Sequence, residues 1–489
     1  MKKLLLFLSC ILLLAALCAC GNDADPASTD ASTDATTETT EATTEEIDYT
    51  PQPTDYGKHT FTVLSAGNVA FDDFSQLEPS EVVLDHALYE RKKKVEIDFN
   101  IEIVTDVQKA RSVGDGPGYR LIAQDALSGS TNYDAALIAG YDVAVLARED
   151  MLYDLNSLPG LDLSRPYWDQ NANRDLSING VMFFTTGEIT VSDNNALFTL
   201  LFNKKLVDDY QLESPYDYVK EDNWTLETFA SLVKGVSDDL NGDGVRDEND
   251  RYGLLVWDDA IMAIIDGAGE KCATVNENGE IELTLYSDRT ASILDRYFDI
   301  IYDDTTAICY QRKLKSASGI WNNNQGLFWM STLGNVPKLR TMEADFGIVP
   351  YPKADKEQDT YHQTISPYNS QFYCVPKLSE NPERTGRILD ALAYYGGEIV
   401  TPAYYEKTIV GQSARDEESV EMLDIILSSM TFDFGYYYQL GTYNSQLIYM
   451  VREYDRSFTT RYESYRDAAE AQLAEINEAY AKAVSAWKS

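Results

Sequence analysis

The sequence contains 489 residues, enough for two or three ordinary domains with hydrophobic cores of their own. Its 80 acidic and 40 basic side chains give a formal net charge of -40. This charge argues against nucleic-acid binding, which needs clustered Lys and Arg to neutralise phosphates. An anionic membrane surface repels the same charge, so any membrane attachment must depend on something other than electrostatics.

The N-terminus has the pattern of a secretory signal. Two lysines precede an apolar run over 4–17, which is too short for a comfortable transmembrane span. Residues 17–21, Leu-Cys-Ala-Cys-Gly, resemble the bacterial lipobox, in which the cysteine is diacylated. We therefore predict a lipoprotein signal peptide over 1–20, with Cys20 as the lipidated residue. The alternative is a plain signal peptide whose cysteines are incidental.

Residues 21–57 form a low-complexity segment rich in Thr, Ala, Asp and Glu, without Lys or Arg. Such a segment buries too little apolar surface to offset its ordering entropy, and its charges repel one another. It is predicted to be a disordered tether.

From residue 58 the sequence alternates between strand and helix signals. Apolar runs at 61–65 and 101–104 flank a helical stripe, and a continuous apolar run at 133–139 is typical of a buried parallel strand. This alternation of strands and helices predicts an α/β lobe with a parallel sheet. Ligands bind such lobes beyond the carboxyl ends of the strands, which makes 65–68 and 140–142, with Tyr141 and Asp142, candidate edges of a cleft; the alternative is that each is an ordinary turn.

Two local signals follow in the middle of the chain. Thr225 is a good N-cap, and Trp224 before it can pair with Phe229 as a hydrophobic staple. The strand predicted at 252–257 ends in Trp257, which Asp258 follows. An aromatic ring and a carboxylate at a strand end can bind a sugar, but they are equally compatible with a packed Trp before an acidic helix start.

Residues 239–250 have the spacing of a calcium loop. Oxygen ligands would come from positions 1, 3, 5, 9 and 12, with a backbone carbonyl at position 7 and Gly244 at the sharp turn. These positions are Asp239, Asn241, Asp243, Val245, Asp247 and Asp250. Position 12 is Asp where an EF-hand has Glu, which reaches the ion more easily. We predict a structural Ca²⁺ site; the alternative is a surface turn without metal.

The C-terminal half adds further signals. Asn278-Gly279 predicts a β-hairpin, and Asn381-Pro382 predicts a helix start whose helix ends at Gly396-Gly397. The last helix carries an apolar stripe predicted to dock on the body: Leu473, Ile476, Tyr480, Val484 and Trp487. Three cysteines remain beyond the lipobox, which we interpret as free buried thiols, with one disulfide as the alternative: Cys272, Cys309 and Cys374.

Several segments, in their order and spacing, resemble extracellular solute-binding lipoproteins of ABC importers, the broad family that includes maltose- and oligosaccharide-binding proteins. The segments that carry the resemblance are 200–206, Trp224-Thr225, 326–330, 345–353, 402–405 and 422–424. The resemblance implies a two-lobed α/β fold, like that of periplasmic binding proteins, with hinge crossings and a central ligand cleft.

By its order of segments, the resemblance implies one lobe over 58–190 plus 368–408 and a second over 191–367 plus 409–489. Chain crossings are then expected near 188–195, 365–370 and 404–410. The family's stacking tryptophan best matches Trp329, and the resemblance implies no other sugar contact. Glu188, at the start of the first expected crossing, is a further candidate ligand residue.

The predicted function is capture of a small solute by a lipid-anchored monomer on the outer face of the membrane, and the expected class of solute is a carbohydrate or oligosaccharide. The expected partners are the solute and the permease subunits. A secreted carbohydrate-active hydrolase is the enzymatic alternative; it would need two carboxylates at a fixed separation, and the many Asp and Glu of this chain do not discriminate. A serine or zinc hydrolase is disfavoured, because the sequence has no Gly-x-Ser-x-Gly motif and no zinc-ligand spacing among its three His. An adhesin or sensor with the same fold is the third alternative.

Overall fold

The computed structural model describes residues 49–309, 317–339, 342–405 and 417–487. The predicted signal peptide, Cys20 and most of the predicted tether lie outside the described residues. The end of that tether, 49–57, packs on the body of the protein. Tyr56 stacks on Phe99 with ring centroids 6.1 Å apart, and the Thr54 N–H donates to the Asp98 carbonyl at 3.0 Å. The folded body therefore begins before residue 58.

The described strands are β1 His59–Gly67, β2 Ile101–Lys109, β3 Ala135–Ala139, β4 Phe198–Asn203, β5 Ser237–Asp238, β6 Arg251–Val256, β7 Ala273–Val275, β8 Ile281–Leu283, β9 Ala307–Cys309, β10 Gly326–Thr332, β11 Phe346–Val349, β12 Gln363–Thr364, β13 Gln371–Cys374 and β14 Met430–Thr431. Short 3₁₀ helices cover Leu155–Ser157, Asp258–Ala260, Leu333–Leu339 and Leu440–Thr442, and a π-helix covers Gly396–Val400.

The described α-helices are α1 Val83–Phe99, α2 Pro117–Ser128, α3 Gly140–Arg148, α4 Gln170–Leu176, α5 Ser192–Ala196, α6 Lys204–Asp209, α7 Pro215–Lys220, α8 Leu226–Lys234, α9 Ile261–Gly267, α10 Asp288–Ile301, α11 Ala317–Asn322, α12 Pro382–Tyr395, α13 Thr401–Tyr405, α14 Glu417–Ser428, α15 Phe434–Tyr437, α16 Tyr443–Glu453 and α17 Phe458–Trp487.

The first lobe is built on a four-stranded sheet with the order β13-β3-β1-β2. β1 runs parallel to β2 and β3, whereas β13 is antiparallel to β3. Every residue of β3 is buried, which explains its uninterrupted apolar sequence, since a central strand has no solvent-facing side. Because β13 comes from residues 371–374, the chain returns to this sheet after the second sheet is complete.

The second lobe is built on a six-stranded sheet with the order β11-β4-β10-β6-β5, in which β9 also pairs with β6. β6 and β10 are parallel neighbours, so their carboxyl ends lie at the same edge of the sheet. The residues that follow β6 and end β10 are therefore brought together, and this edge faces the first lobe.

The two lobes are joined where the chain crosses between them. Leu197 and Ile365 form an antiparallel bridge, and the Ser366 N–H donates to the Ala196 carbonyl at 3.1 Å. The segments predicted as the first two crossings thus run side by side. The third predicted crossing continues into residues 406–416, outside the described residues. One apolar core cluster contains side chains from both sheets, such as Ile138 of β3 and Leu201 of β4.

The local sequence signals are mostly confirmed. The Thr225 hydroxyl caps α8, and Trp224 packs edge-on against Phe229 with ring centroids 5.9 Å apart. β7 and β8 pair antiparallel around the predicted hairpin turn. In α17 the stripe residues Ile476 and Tyr480 are buried against the body, while the side chain of Trp487 lies outside the described part. The three cysteines are buried and form no disulfide within the described residues.

The predicted bounds of α12 are confirmed, because the α-helix ends at Tyr395 and Gly396 is its C-cap. The Asn381 side chain caps the helix as expected, but the chain continues beyond Tyr395 through the π-helix into α13. Gly396 keeps right-handed helical dihedral angles, with φ -59° and ψ -52°, so the helical path does not stop there. A Cβ on this residue would lie 1.8 Å from the Glu188 carbonyl oxygen, so glycine is required by a close approach of two backbones.

Candidate functional site

A cavity of about 500 Å³ lies between the two lobes. Its lining comes from both sheets and from the crossing segments: Val69, Phe71, Leu84, Asn195, Trp257, Thr332, Gly334, Asn335, Pro337, Lys338, Asn369 and Tyr404. A volume of this size suits a small molecule, and mixed aromatic and amide linings provide both apolar contact and hydrogen bonds.

The wall from the second lobe is formed at the carboxyl edge of its sheet. Trp257 follows β6, and Thr332 is the last residue of the parallel neighbour β10. Trp257 packs on Phe198 with ring centroids 4.9 Å apart, which fixes the indole while part of it stays exposed. An indole held in this way offers a flat apolar surface to whatever enters the cavity.

Beyond β10 a 3₁₀ helix carries a chain of polar contacts along the same wall. The Asn335 amide donates to the Ser331 hydroxyl at 3.2 Å and to the Thr332 hydroxyl at 3.3 Å. Its carbonyl oxygen accepts from Lys338 Nζ at 2.8 Å. The strand end thus orients Asn335, and Asn335 in turn orients the lysine.

The wall from the first lobe is mainly apolar. Phe71 and Leu84 lie after β1 and at the start of α1, and the Phe71 N–H donates to Gln371 Oε1 at 2.6 Å. The crossing segments add Asn195 and Tyr404, whose hydroxyl donates to Asn195 Oδ1 at 3.4 Å. This bond joins α5 to α13 at the back of the cavity.

Of the predicted ligand contacts, Trp257 is among the described residues that line the cavity. Asp258 is its neighbour, but it is buried and accepts from Arg452 Nε. Trp329 is also buried, in the core rather than at the cavity, where it packs on Trp321 with ring centroids 5.6 Å apart.

The remaining three predicted contacts have structural partners. The Tyr141 hydroxyl accepts from Asn444 Nδ2 at 3.0 Å. Asp142 Oδ1 accepts the Gly114 N–H at 2.8 Å and the Gly116 N–H at 3.2 Å, which fixes the turn before α2. Glu188 accepts from the Thr401 hydroxyl beside the π-helix. The structure therefore brings none of these three into the described lining.

Sequence reasoning missed the polar wall formed by Asn335 and Lys338. A usable signal was present, because both residues follow the apolar run 326–330, which has the length and composition of a buried strand. The rule that ligands lie beyond strand ends applies to 331–338 as well. By this rule the residues after β10 are as good candidates as Tyr141 and Asp142 in the first lobe and Trp257 after β6.

A group of carboxylates is buried at the first crossing. Asp193 of α5 is inaccessible to solvent, and burial raises its pKa from 3.8 to about 7, with Asp169 and Glu188 nearby adding to the rise. The Thr186 hydroxyl donates to Asp193 Oδ2 at 2.7 Å and opposes it. Burial also raises the pKa of Glu188. The protonation state of Asp193 at the first crossing therefore changes near neutral pH.

The predicted calcium loop is folded as a series of turns. Asp239 accepts the N–H groups of Gly242 and Gly244 at 2.8 and 2.9 Å, and the buried Asp250 accepts those of Leu240 and Asp247. Among the described residues, no three His, Cys, Asp or Glu side chains are gathered closely enough to hold a metal ion. In this structure the carboxylates of Asp239 and Asp250 accept backbone N–H groups of the loop itself. The calcium site stays a prediction.

Comparison with known proteins identifies the architecture. A galacto-N-biose/lacto-N-biose I-binding protein of an ABC transporter from Bifidobacterium longum superposes with a TM-score of 0.55 at 12% identity, over 86% of this chain and 98% of that one. A solute-binding protein from Thermotoga lettingae bound to α-D-tagatose gives 0.53 at 14%, over 86% and 100%. An ABC substrate-binding protein from Listeria monocytogenes bound to cycloalternan gives 0.51 at 13%, over 88% and 99%.

This chain has the two-lobed fold of ABC solute-binding proteins. The predicted fold class is confirmed. No known protein-family profile and no curated protein matches the chain. No helix in the described part of the chain is long and apolar enough to span a membrane.

Proposed function

We propose that this protein is the solute-binding subunit of an ABC importer and that it captures a carbohydrate between its lobes. The observation that carries the proposal is the 500 Å³ cavity with walls from both lobes, where Trp257 faces a set of amide side chains. The solved structures that share the fold include proteins bound to cycloalternan, α-D-tagatose and lacto-N-biose.

The lining suits a sugar for two physical reasons. The apolar faces of sugar rings pack on aromatic side chains, and Trp257 and Phe71 supply such surfaces from opposite lobes. Hydroxyl groups need donors and acceptors, which the side chains of Asn195, Asn335 and Asn369 provide. A solute that contacts both lobes has more contacts in the closed state than in the open one, so binding favours closure.

Attachment to the outer face of the membrane is part of the proposal, with Cys20 as the lipidated residue. Paired acyl chains would hold the protein where its charge cannot. Expression of the Cys20→Ala variant tests this assignment. The wild-type protein should fractionate with membranes and carry the mass of the lipid, whereas the variant should be found free of membranes.

The binding function is tested by thermal unfolding of the purified protein with separate panels of oligosaccharides, peptides and polyamines. A saccharide present at 100 times its Kd should stabilise the protein by about 2.7 kcal/mol, without being converted to a product. The Trp257→Ala variant should lose most of that response. Tyr465→Ala, which truncates an exposed aromatic residue on α17, is the matched control and should keep it.

The outcomes separate the functions. Conversion of a saccharide to a product would support the hydrolase alternative and contradict the proposal. Stabilisation by peptides or polyamines alone would refute the carbohydrate assignment while leaving a transport function. A protein that responds to none of the three panels would contradict solute capture and favour adhesion.

A further inference from the structure

The cavity has an unusual charge for this protein. The chain as a whole carries a formal net charge of -40, yet no carboxylate is among the described residues that line the cavity. The one charged side chain in that lining is Lys338. The remaining polar groups are neutral amides and hydroxyls. The described lining therefore carries a formal charge of +1 in a strongly acidic protein.

Lys338 also differs from most cations near the lobes in having no ion pair within the described residues. Lys220, for example, contacts Glu418 at 2.6 Å, and Arg452 contacts Asp258. The Lys338 ammonium is bonded instead to the neutral Asn335 Oδ1. An ammonium has three N–H donors, so this bond leaves donors for a ligand.

The Lys338 side chain is exposed, and its ammonium is oriented by the bond to Asn335. Asn335 is held by the hydroxyls of Ser331 and Thr332, and Pro337 stiffens the 3₁₀ helix between Asn335 and Lys338. A donor that is already oriented loses less side-chain entropy on binding, which strengthens the bond it forms.

We propose that the solute is an acidic saccharide, and that Lys338 binds its carboxylate. The inference rests on the proposed function, since it names the chemical class of sugar that the same cavity takes. A neutral sugar has no group that needs a cation. An anionic solute approaches a body of the same sign of charge, so it requires a local positive group such as Lys338 at the binding site.

The test uses matched pairs of ligands. Di- and trisaccharides of galacturonate, glucuronate and mannuronate are compared with the same compounds after reduction of each carboxylate to an alcohol, which preserves linkage and size. Calorimetric titration of the full chain should show an acidic member binding at least about tenfold more tightly than its reduced form, because a hydrogen bond to a charged group is lost. Added salt should weaken the acidic member more than the reduced one.

Variants assign the effect to the residue. Lys338→Gln should weaken the acidic ligand by about 10- to 100-fold and leave the reduced ligand nearly unchanged. Lys338→Arg should keep the preference for the acid. Lys356→Gln, which removes the same charge from an exposed site of the second lobe outside the cavity lining, should bind both ligands like the wild type.

Each remaining outcome contradicts either the binding of an acidic saccharide or the proposed carbohydrate capture on which it rests. Equal binding of the acidic and reduced forms, or equal weakening of both by Lys338→Gln, would overturn the inference and leave the carbohydrate function standing. Tight binding of neutral oligosaccharides alone would do the same. If no saccharide of either series or of the broader panel binds, the proposed function fails and the inference fails with it.

Discussion

Replacement of Asp193 by Asn should stabilise the protein near pH 8 and have much less effect near pH 4. Asp193 is buried at the first crossing, where Asp169 and Glu188 lie close enough to repel its negative charge. Its two described bonds, from the Thr186 hydroxyl and the Asn194 N–H, only partly offset the cost of burying that charge. An Asn has nearly the same shape but never ionises.

The magnitude follows from the pKa of Asp193 in the two states. Burial raises the pKa to about 7 in the folded protein from 3.8 in the exposed chain. Between these values the folded state holds the proton more tightly, so the stability contributed by the group is fully present below about pH 4 and is lost as the pH rises to about 7. At about 1.36 kcal/mol per pKa unit, the loss is at most about 4 kcal/mol.

The assay is urea unfolding of the wild type and Asp193→Asn at pH values from 4 to 8. The difference in free energy of unfolding, variant minus wild type, should increase with pH by about 2–4 kcal/mol, with most of the change between pH 5 and 7. Comparing pH values removes any effect of Asn that does not depend on protonation. A difference that stays constant across the range would show that Asp193 ionises normally and would refute the reasoning.

The remaining predictions concern a second carboxylate, a glycine and the metal loop. Burial opposes ionisation of Asp175, but Lys271, Arg174 and the Phe432 N–H together outweigh it and lower the pKa, so Asp175→Asn should destabilise the protein above about pH 4 and lose this effect in acid. Gly396→Ala should cost about 2–3 kcal/mol in urea unfolding, whereas Gly397→Ala, whose Cβ would meet its nearest neighbour at 3.4 Å, should cost little. EGTA should lower the melting temperature of the wild type but not of Asp243→Ala; an unchanged wild type would make the loop only a turn.

Local chemistry determined a large part of this protein from its sequence. The cap at Thr225, the hairpin at Asn278-Gly279 and the buried strand β3 each depend on residues within a few positions, and each is confirmed. The alternation of such elements was sufficient to predict an α/β lobe with a parallel sheet, whereas the two-lobed arrangement was implied by the resemblance to solute-binding proteins. Trp257 could be selected because the ends of parallel strands form ligand sites whatever the ligand is.

Tertiary structure decided which side chains at the strand ends reach the cavity. Trp329 and Thr332 lie on the same strand, β10, yet the tryptophan packs in the core while the threonine lines the cavity. Neither pattern nor spacing reveals this, because the face of a strand that is covered depends on elements distant in sequence. Tyr141 illustrates the same point, since its partner is Asn444, more than 300 residues along the chain.

The charge of the site is also a tertiary property. Sequence gives the total of -40 but not its distribution, and the acidic side chains that dominate the composition are absent from the described cavity lining. A 3₁₀ helix places Lys338 there, held by Asn335. The sequence determined the elements because their causes are local, whereas the site depends on distances between elements that only the folded chain sets.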